Sequence, residues 1–249
     1  MNDSKADELK TLKKNRITSF ILRFDLHPSS ADFAKVINEL GKVYDRLERR
    51  AGTKISFNLS GENSGVKSTE ATDFILVHDE KKYRLSFAND WRTICFEAKS
   101  YIDRSTYVEP ISQLHGVLSA VDSELMTTRI GMRFVNEFDS GELKNTSKVF
   151  IKDVANQIIK ACSKDYVSRF IAQEMYNYNS DYKLKVQYGI LNKYYPAILN
   201  NYDLYLDIDA FDNIHHSLSE WPEVLDALNH AAYNKFLEFM LPKYLEGLK

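Results

Sequence analysis

The residue types able to carry chemistry gather in two short segments. Arg129 and Arg133 occupy odd positions of the alternating run Thr128–Phe138, so both project from one side of a strand. Guanidinium groups so placed can grip a carboxylate or phosphate through paired hydrogen bonds. Asp207-Ile-Asp209 sets two carboxylates on one side of another strand, about 6–7 Å apart. Asp212, His215 and His216 follow closely. An Asp, Asp, His set can hold a divalent metal, and a phosphoesterase or nuclease uses such a metal to activate water. Each feature also has a plain reading. Asp207 and Asp209 neutralise the arginines if their strands are neighbours. Asp212 and Asn213 are turn residues closing a strand. No metal is assigned, and Asp207, Asp209, His215 and His216 stand only as candidate ligands.

Other chemistry is sparse. Cys95 and His115 suggest a thiol–imidazole pair, but Cys95 lies in a strand and His115 on the inward stripe of a helix, where a buried small hydrophobe and a core histidine suffice. No GxSxG, HExxH, Walker A or dinucleotide-binding glycine pattern is present, and no catalytic residue or cofactor is assigned. Eight of the 15 tyrosines fall between Tyr176 and Tyr205. Strand packing accounts for most of them. Tyr194-Tyr195-Pro196 reads as a loop, where packing explains least and a partner contact is the first thing to seek.

Composition narrows the classes. The chain has 249 residues with 33 Lys plus Arg against 35 Asp plus Glu, a formal charge of −2. Duplex DNA is not expected as a partner, because the basic excess that phosphate neutralisation requires is absent. The two cysteines form no CxxC spacing, which predicts free thiols in a reducing compartment. No apolar run approaches the roughly 20 residues of a membrane span, and Met1–Arg16 is polar and Lys-rich without the apolar core of a secretory signal. The expectation is a cytoplasmic protein with no membrane partner.

The elements that must position these residues follow from periodicity. Phe20, Leu22, Phe24 and Leu26 alternate with polar residues, predicting a half-buried strand. After Pro28-Ser-Ser30, Phe33, Val36, Ile37, Leu40, Tyr44 and Leu47 recur at helical spacing. Strands are predicted at Lys54–Leu59, Thr72–His78, Lys82–Phe87 and Arg92–Ala98, with Ser60 to Ala71 as a mobile hairpin loop. A helix opens near Pro110, with Ile111, Leu114, His115, Leu118 and Val121 inward. The order then restarts: strand Thr128–Phe138, a helix burying Ile151, Val154, Ile158 and Ala161, and strands at Ser168–Tyr178, Tyr182–Ile190 and Tyr202–Ala210. A last helix runs from Pro222 to about Leu241.

This pattern predicts an α+β fold. Residues 1–16 form a polar, flexible segment, 17–126 a first α+β half and 127–249 a second. Each half reads strand, helix, antiparallel meander, helix, with no residue-level repeat. A meander with one apolar face needs cover, which amphipathic helices supply. One curved sheet covered by helices on one face, TATA-binding-protein-like or helix-grip-like, is expected, and two ferredoxin-like units are the alternative. The other face then carries Arg23, Asp25, Arg84, Glu97, Arg129, Arg133, Glu137, Lys183, Lys185, Asp207 and Asp209. It is either a solvated surface of ion pairs or a groove for a polar ligand, with Arg129, Arg133, Arg23, Lys183, Lys185, Tyr194 and Tyr195 as binding candidates.

Arg129-Ile-Gly131-Met-Arg133-Phe134-Val135-Asn136 resembles the R-x-G-x-R-[FY]-[IV]-N core of a sporadically distributed family of uncharacterised prokaryotic proteins. The likeness extends to Leu204–Ala210 and to a closing helix with Phe236. It brings no activity with it, and implies an association with mobile-element or defence genes. Residues and resemblance together lead to the expectation of a non-catalytic binding or regulatory protein. Its partner is expected to be an anionic small molecule or a protein, with homodimer formation through exposed sheet edges. A metal-dependent phosphoesterase or nuclease, and an antitoxin-like or immunity protein, are the alternatives.

Overall fold

The computed structural model describes residues 16–58, 65–138, 145–163, 167, 169–178, 181–192 and 203–248, with the side chains of 53–58 and 65–71 excepted. The chain is α+β, and its strands form a single antiparallel sheet. The strands are β1 (Ile17–Leu26), β2 (Arg46–Asn58), β3 (Gly65–His78), β4 (Tyr83–Phe87), β5 (Thr93–Ala98), β6 (Met126–Phe138), β7 (Phe170–Asn177), β8 (Tyr182–Leu191), β9 (Asp203–Asp212) and the short β10 (His216–Ser217). The helices are α1 (Phe33–Leu40), α2 (Ser105–Val121), α3 (Thr146–Val149), α4 (Lys152–Cys162), α5 (Trp221–Phe239) and α6 (Pro242–Glu246). Spatial order across the sheet is β2-β3-β4-β5-β1-β6-β9-β8-β7, with β10 added to one end of β6.

Alternation decides which face is covered. Phe20, Leu22 and Phe24 of β1, Ile94 and Phe96 of β5, Ile130 and Met132 of β6, and Leu206 and Ile208 of β9 are all buried on one side. They join Val36, Leu114, Ile158, Leu228 and Phe236 from the helices in one core. Phe20 sits at its centre, stacked on Tyr107 at 5.3 Å and packed on Phe134 at 5.0 Å. Phe24 stacks on Trp221, the first residue of α5, at 4.1 Å. These aromatic contacts fasten α2 and α5 to the middle of the sheet.

Three sequence expectations are corrected. The helix read through Leu47 stops at Leu40; Gly41 closes it by donating to Ile37, and β2 begins at Arg46. Tyr44 keeps its inward place, but Leu47 is exposed. The residues from 65 to 71 are strand rather than loop, because the β2–β3 ladder continues to Asn58↔Gly65. No apolar alternation marks that stretch, so periodicity alone cannot find it. The second helix also begins earlier than Pro110, at Ser105, and encloses that proline. Residues 1–15 and the Tyr194–Tyr195 segment lie outside the described residues.

One glycine is dictated by geometry. Gly189 of β8 has φ +154°, and a Cβ there would stand 2.0 Å from the carbonyl oxygen of Phe170 on the edge strand β7. Gly189→Ala is therefore expected to push β7 off the sheet, destabilising the protein by about 2 kcal/mol or more, in line with a forced backbone clash. Urea denaturation with amide exchange along β7 checks this; an unchanged midpoint and unchanged β7 protection would contradict it.

Candidate functional site

The antiparallel pairing of β1 with β6, and of β6 with β9, brings the odd-numbered charged residues together on the open face. Asp25 lies opposite Arg129 and Arg133 opposite Asp209. Lys185 also lies opposite Asp209 on β8, and Thr93 opposite Asp25 on β5. Two short rows result, Thr93–Asp25–Arg129 and Arg133–Asp209–Lys185, four residues apart along β6.

Its strongest member is Arg133. The guanidinium donates to both carboxylate oxygens of Asp207, from Nε at 2.9 and 3.1 Å and from a terminal nitrogen at 2.7 Å. Tyr205 donates its hydroxyl to the same carboxylate at 2.7 Å. Asp207 has no solvent exposure, whereas the Arg133 side chain is 37% exposed. Burial under arginine and tyrosine replaces the wet surface expected at Asp207, since side chains lying across β9 bury its open face as well as its core face. The hydrogen bonds to Asp207 hold the Arg133 guanidinium above its ordinary pKa despite opposing burial. Burial first, then the bond to Asp207, pushes the Tyr205 phenol up to about 12. Arg133 is thus committed to an internal partner.

Arg129 is placed differently. Its nearest carboxylates, Asp25 and Asp209, stand 4.0 and 3.9 Å away, beyond hydrogen-bond reach. Both have closer partners: Arg23 and the Thr93 hydroxyl hold Asp25, each at 2.9 Å, and Lys185 approaches Asp209 at 3.3 Å. The Arg129 side chain donates no hydrogen bond to any described residue. It rests over Gly131 and against the Phe211 ring, 4.7 Å from the centroid. A Cβ at Gly131 would meet the guanidinium at 3.4 Å, so the glycine leaves a shallow seat rather than avoiding a clash. Phe211 lies between Gly131 and Lys183 in the register, and Lys183 is exposed without an ion pair to a described residue.

The remaining sequence candidates separate. Arg84 pairs with Glu97 across β4 and β5, its Nε at 3.0 Å. Asp207 and Asp209 are engaged by bases on the open face. Asp212 points to the core side, where it accepts from the Ile130 backbone at 3.3 Å and meets His216 Nε2 at 2.9 Å, anchoring β10. His215 stands edge-on to His27 at 4.8 Å. Among the described residues no group of three or more His, Cys, Asp or Glu is placed to hold a metal ion. Cys95 and His115 lie on opposite sides of the sheet, and burial raises the Cys95 thiol pKa. Both cysteines are free. Sequence reading missed Tyr205, Phe211 and Thr93, although the first two share the i, i+2 alternation of Asp207 and Asp209. Among the described residues no helix is long and apolar enough to cross a membrane.

No family model, curated protein or solved structure matches the chain.

The Arg133–Asp207 geometry gives a direct test. Arg133→Met leaves a buried carboxylate unpaired and is expected to cost about 2–4 kcal/mol, the lower part of the range for a broken buried pair because the arginine is partly exposed. Adding Asp207→Leu should restore most of that loss. Equilibrium urea unfolding of the three variants decides; simple additivity of the two single losses would contradict the coupling.

Proposed function

We propose that this chain is a non-catalytic binding protein that receives an anionic group on the open sheet face, at Arg129 and Lys183 on either side of Phe211. The observation that carries this reading is the state of Arg129: a guanidinium 22% exposed, seated on an aromatic ring and a glycine, flanked by carboxylates that other bases hold more closely. Its side chain donates no hydrogen bond to a described residue, and a guanidinium in that state suits a carboxylate or phosphate oxygen pair.

The open face belongs to two matching halves, a TATA-binding-protein-like or helix-grip-like arrangement. In support, β1 and β6 lie side by side, with β5, β4, β3 and β2 outward on one flank and β9, β8 and β7 on the other, so the two flanks run in the same sense but differ by one strand. Each half also ends in a long helix, α2 or α5. The R-x-G-x-R motif acquires a division of labour within this reading. Arg133 ties β6 to β9, Gly131 makes the seat, and Arg129 meets the ligand. The geometry favours this over a metal-dependent phosphoesterase, whose candidate ligands point to separate places.

Inorganic phosphate and citrate are the probes. In the wild type each should move the Arg129 Nε–H resonance in a saturable way. Arg129→Gln should weaken binding about tenfold or more, the loss of one charge-assisted bidentate contact, with little change in the unfolding midpoint. No saturable response to either anion, or an undiminished response in Arg129→Gln, would overturn the assignment.

A further inference from the structure

The two edges of the sheet differ in chemistry. β2, at one end, carries Arg46, Glu48, Arg49 and Arg50, charges of the kind that keep an edge from pairing with another chain. β7, at the other end, runs from Phe170 through Ile171, Ala172, Gln173, Glu174, Met175 and Tyr176 to Asn177; it has no Lys, Arg or Pro, and Glu174 is its one charged residue. Among the described residues no strand pairs with its outer side. Parity shows which backbone groups lie on that side. The Tyr178 N–H donates to the Tyr182 carbonyl at 2.9 Å, in step with the β7–β8 ladder, so the even-numbered residues direct their N–H and C=O groups to β8. Ile171, Gln173, Met175 and Asn177 then direct theirs outward. The Met175 side chain is 54% exposed, and Gln173 and Asn177 are exposed as well.

We infer that this edge is a homodimer interface, in which β7 of two copies pairs antiparallel about a two-fold axis at Gln173. Residues opposed in an antiparallel ladder share a face, so the axis must pass where a residue meets its own copy. An axis at Gln173 pairs Phe170–Tyr176, and one at Glu174 pairs Ile171–Asn177. The second sets two Glu174 carboxylates face to face, which like charge disfavours. The first sets Ile171 opposite Met175 and Phe170 opposite Tyr176, apolar against apolar. It sets Glu174 opposite Ala172, and within its own copy that carboxylate already accepts from the Tyr188 hydroxyl at 2.7 Å and from Tyr176. Gln173 accepts from Gln187 Nε2 at 2.8 Å through its side-chain oxygen, so its own amide nitrogen remains to donate to Gln173 of the other copy. A single strand pair lies at the low end of interface sizes, so association in the micromolar range is expected. The pairing joins the open faces of the two copies into one surface.

Sedimentation equilibrium of the whole protein over a wide concentration range gives the dimer constant, and amide exchange locates the interface. The wild type should pass from monomer to dimer, with the amides of Ile171, Gln173 and Met175 gaining protection as concentration rises and those of β2 unchanged. Residue 173 faces its own copy, so Gln173→Lys alone and Gln173→Glu alone should each weaken association about tenfold or more through like-charge opposition. An equimolar mixture of the two variants should dimerise at least as well as the wild type. Met175→Lys, at an exposed position, should weaken association similarly without moving the unfolding midpoint of the monomer, and Arg129→Gln should dimerise unchanged. A wild type that stays monomeric at every concentration, a dimer undiminished by Gln173→Lys and Met175→Lys, or a mixture of the two Gln173 variants that fails to associate would overturn the inference.

Discussion

Everything in this molecule depends on the antiparallel pairing of β1 with β6 at the middle of the sheet. That ladder sets Phe20 beside Phe134 and Leu22 beside Met132 on the core side, and Asp25 beside Arg129 on the open side. Side chains alternate with a period of two, so a slip of one residue would turn the arginines inward and the phenylalanines out. Register irregularities are confined to the two ends of the ladder, between Ile17 and Ser19 and between Asp25 and Leu26. The central rows are regular and include Arg133, opposite Ile21, while Asp25–Arg129 is the last row before the break at Leu26.

The same constraint explains why the two arginines of one motif behave differently. Both leave β6 on the open face, but β9 offers Asp207 within reach of Arg133 and holds Asp209 nearer to Lys185 than to Arg129. A buried carboxylate is costly unless paired and hydrogen-bonded, and Asp207 receives both guanidinium and phenol. This pair selects the β6–β9 register more than it adds stability, since other registers would leave Asp207 buried alone. Arg129 remains partly exposed, seated against Phe211, without a close carboxylate partner. Held orientation with unused donors is the condition for selective anion recognition, because little ordering is left to occur on binding.

Much of this arrangement can be read from residue order. The alternation in Phe20–Leu26 and Thr128–Phe138 identifies the central strands and their buried faces. The Asp207-x-Asp209 spacing identifies acids able to meet the arginines. What cannot be read is partnership. Nothing local tells that β9 rather than β7 lies beside β6, so Asp207 looks exposed in sequence when it is buried in space. Leu47 continues a helical spacing by coincidence, and only the long-range ladder from Arg46↔Val77 reassigns it. The β-structure between Gly65 and Ala71 is equally non-local, since its backbone pairing needs no apolar stripe.

The most direct measurement is native-state hydrogen exchange resolved by residue. One sheet hinged on β1 and β6 predicts that the amides of Phe20–Phe24 and Ile130–Phe134 exchange last and together, through global unfolding, with β2 and β7 opening earlier. If the β1–β6 amides instead exchange first, while the flanking strands on the two sides open in separate events, the central pairing is not what holds the fold and the account fails.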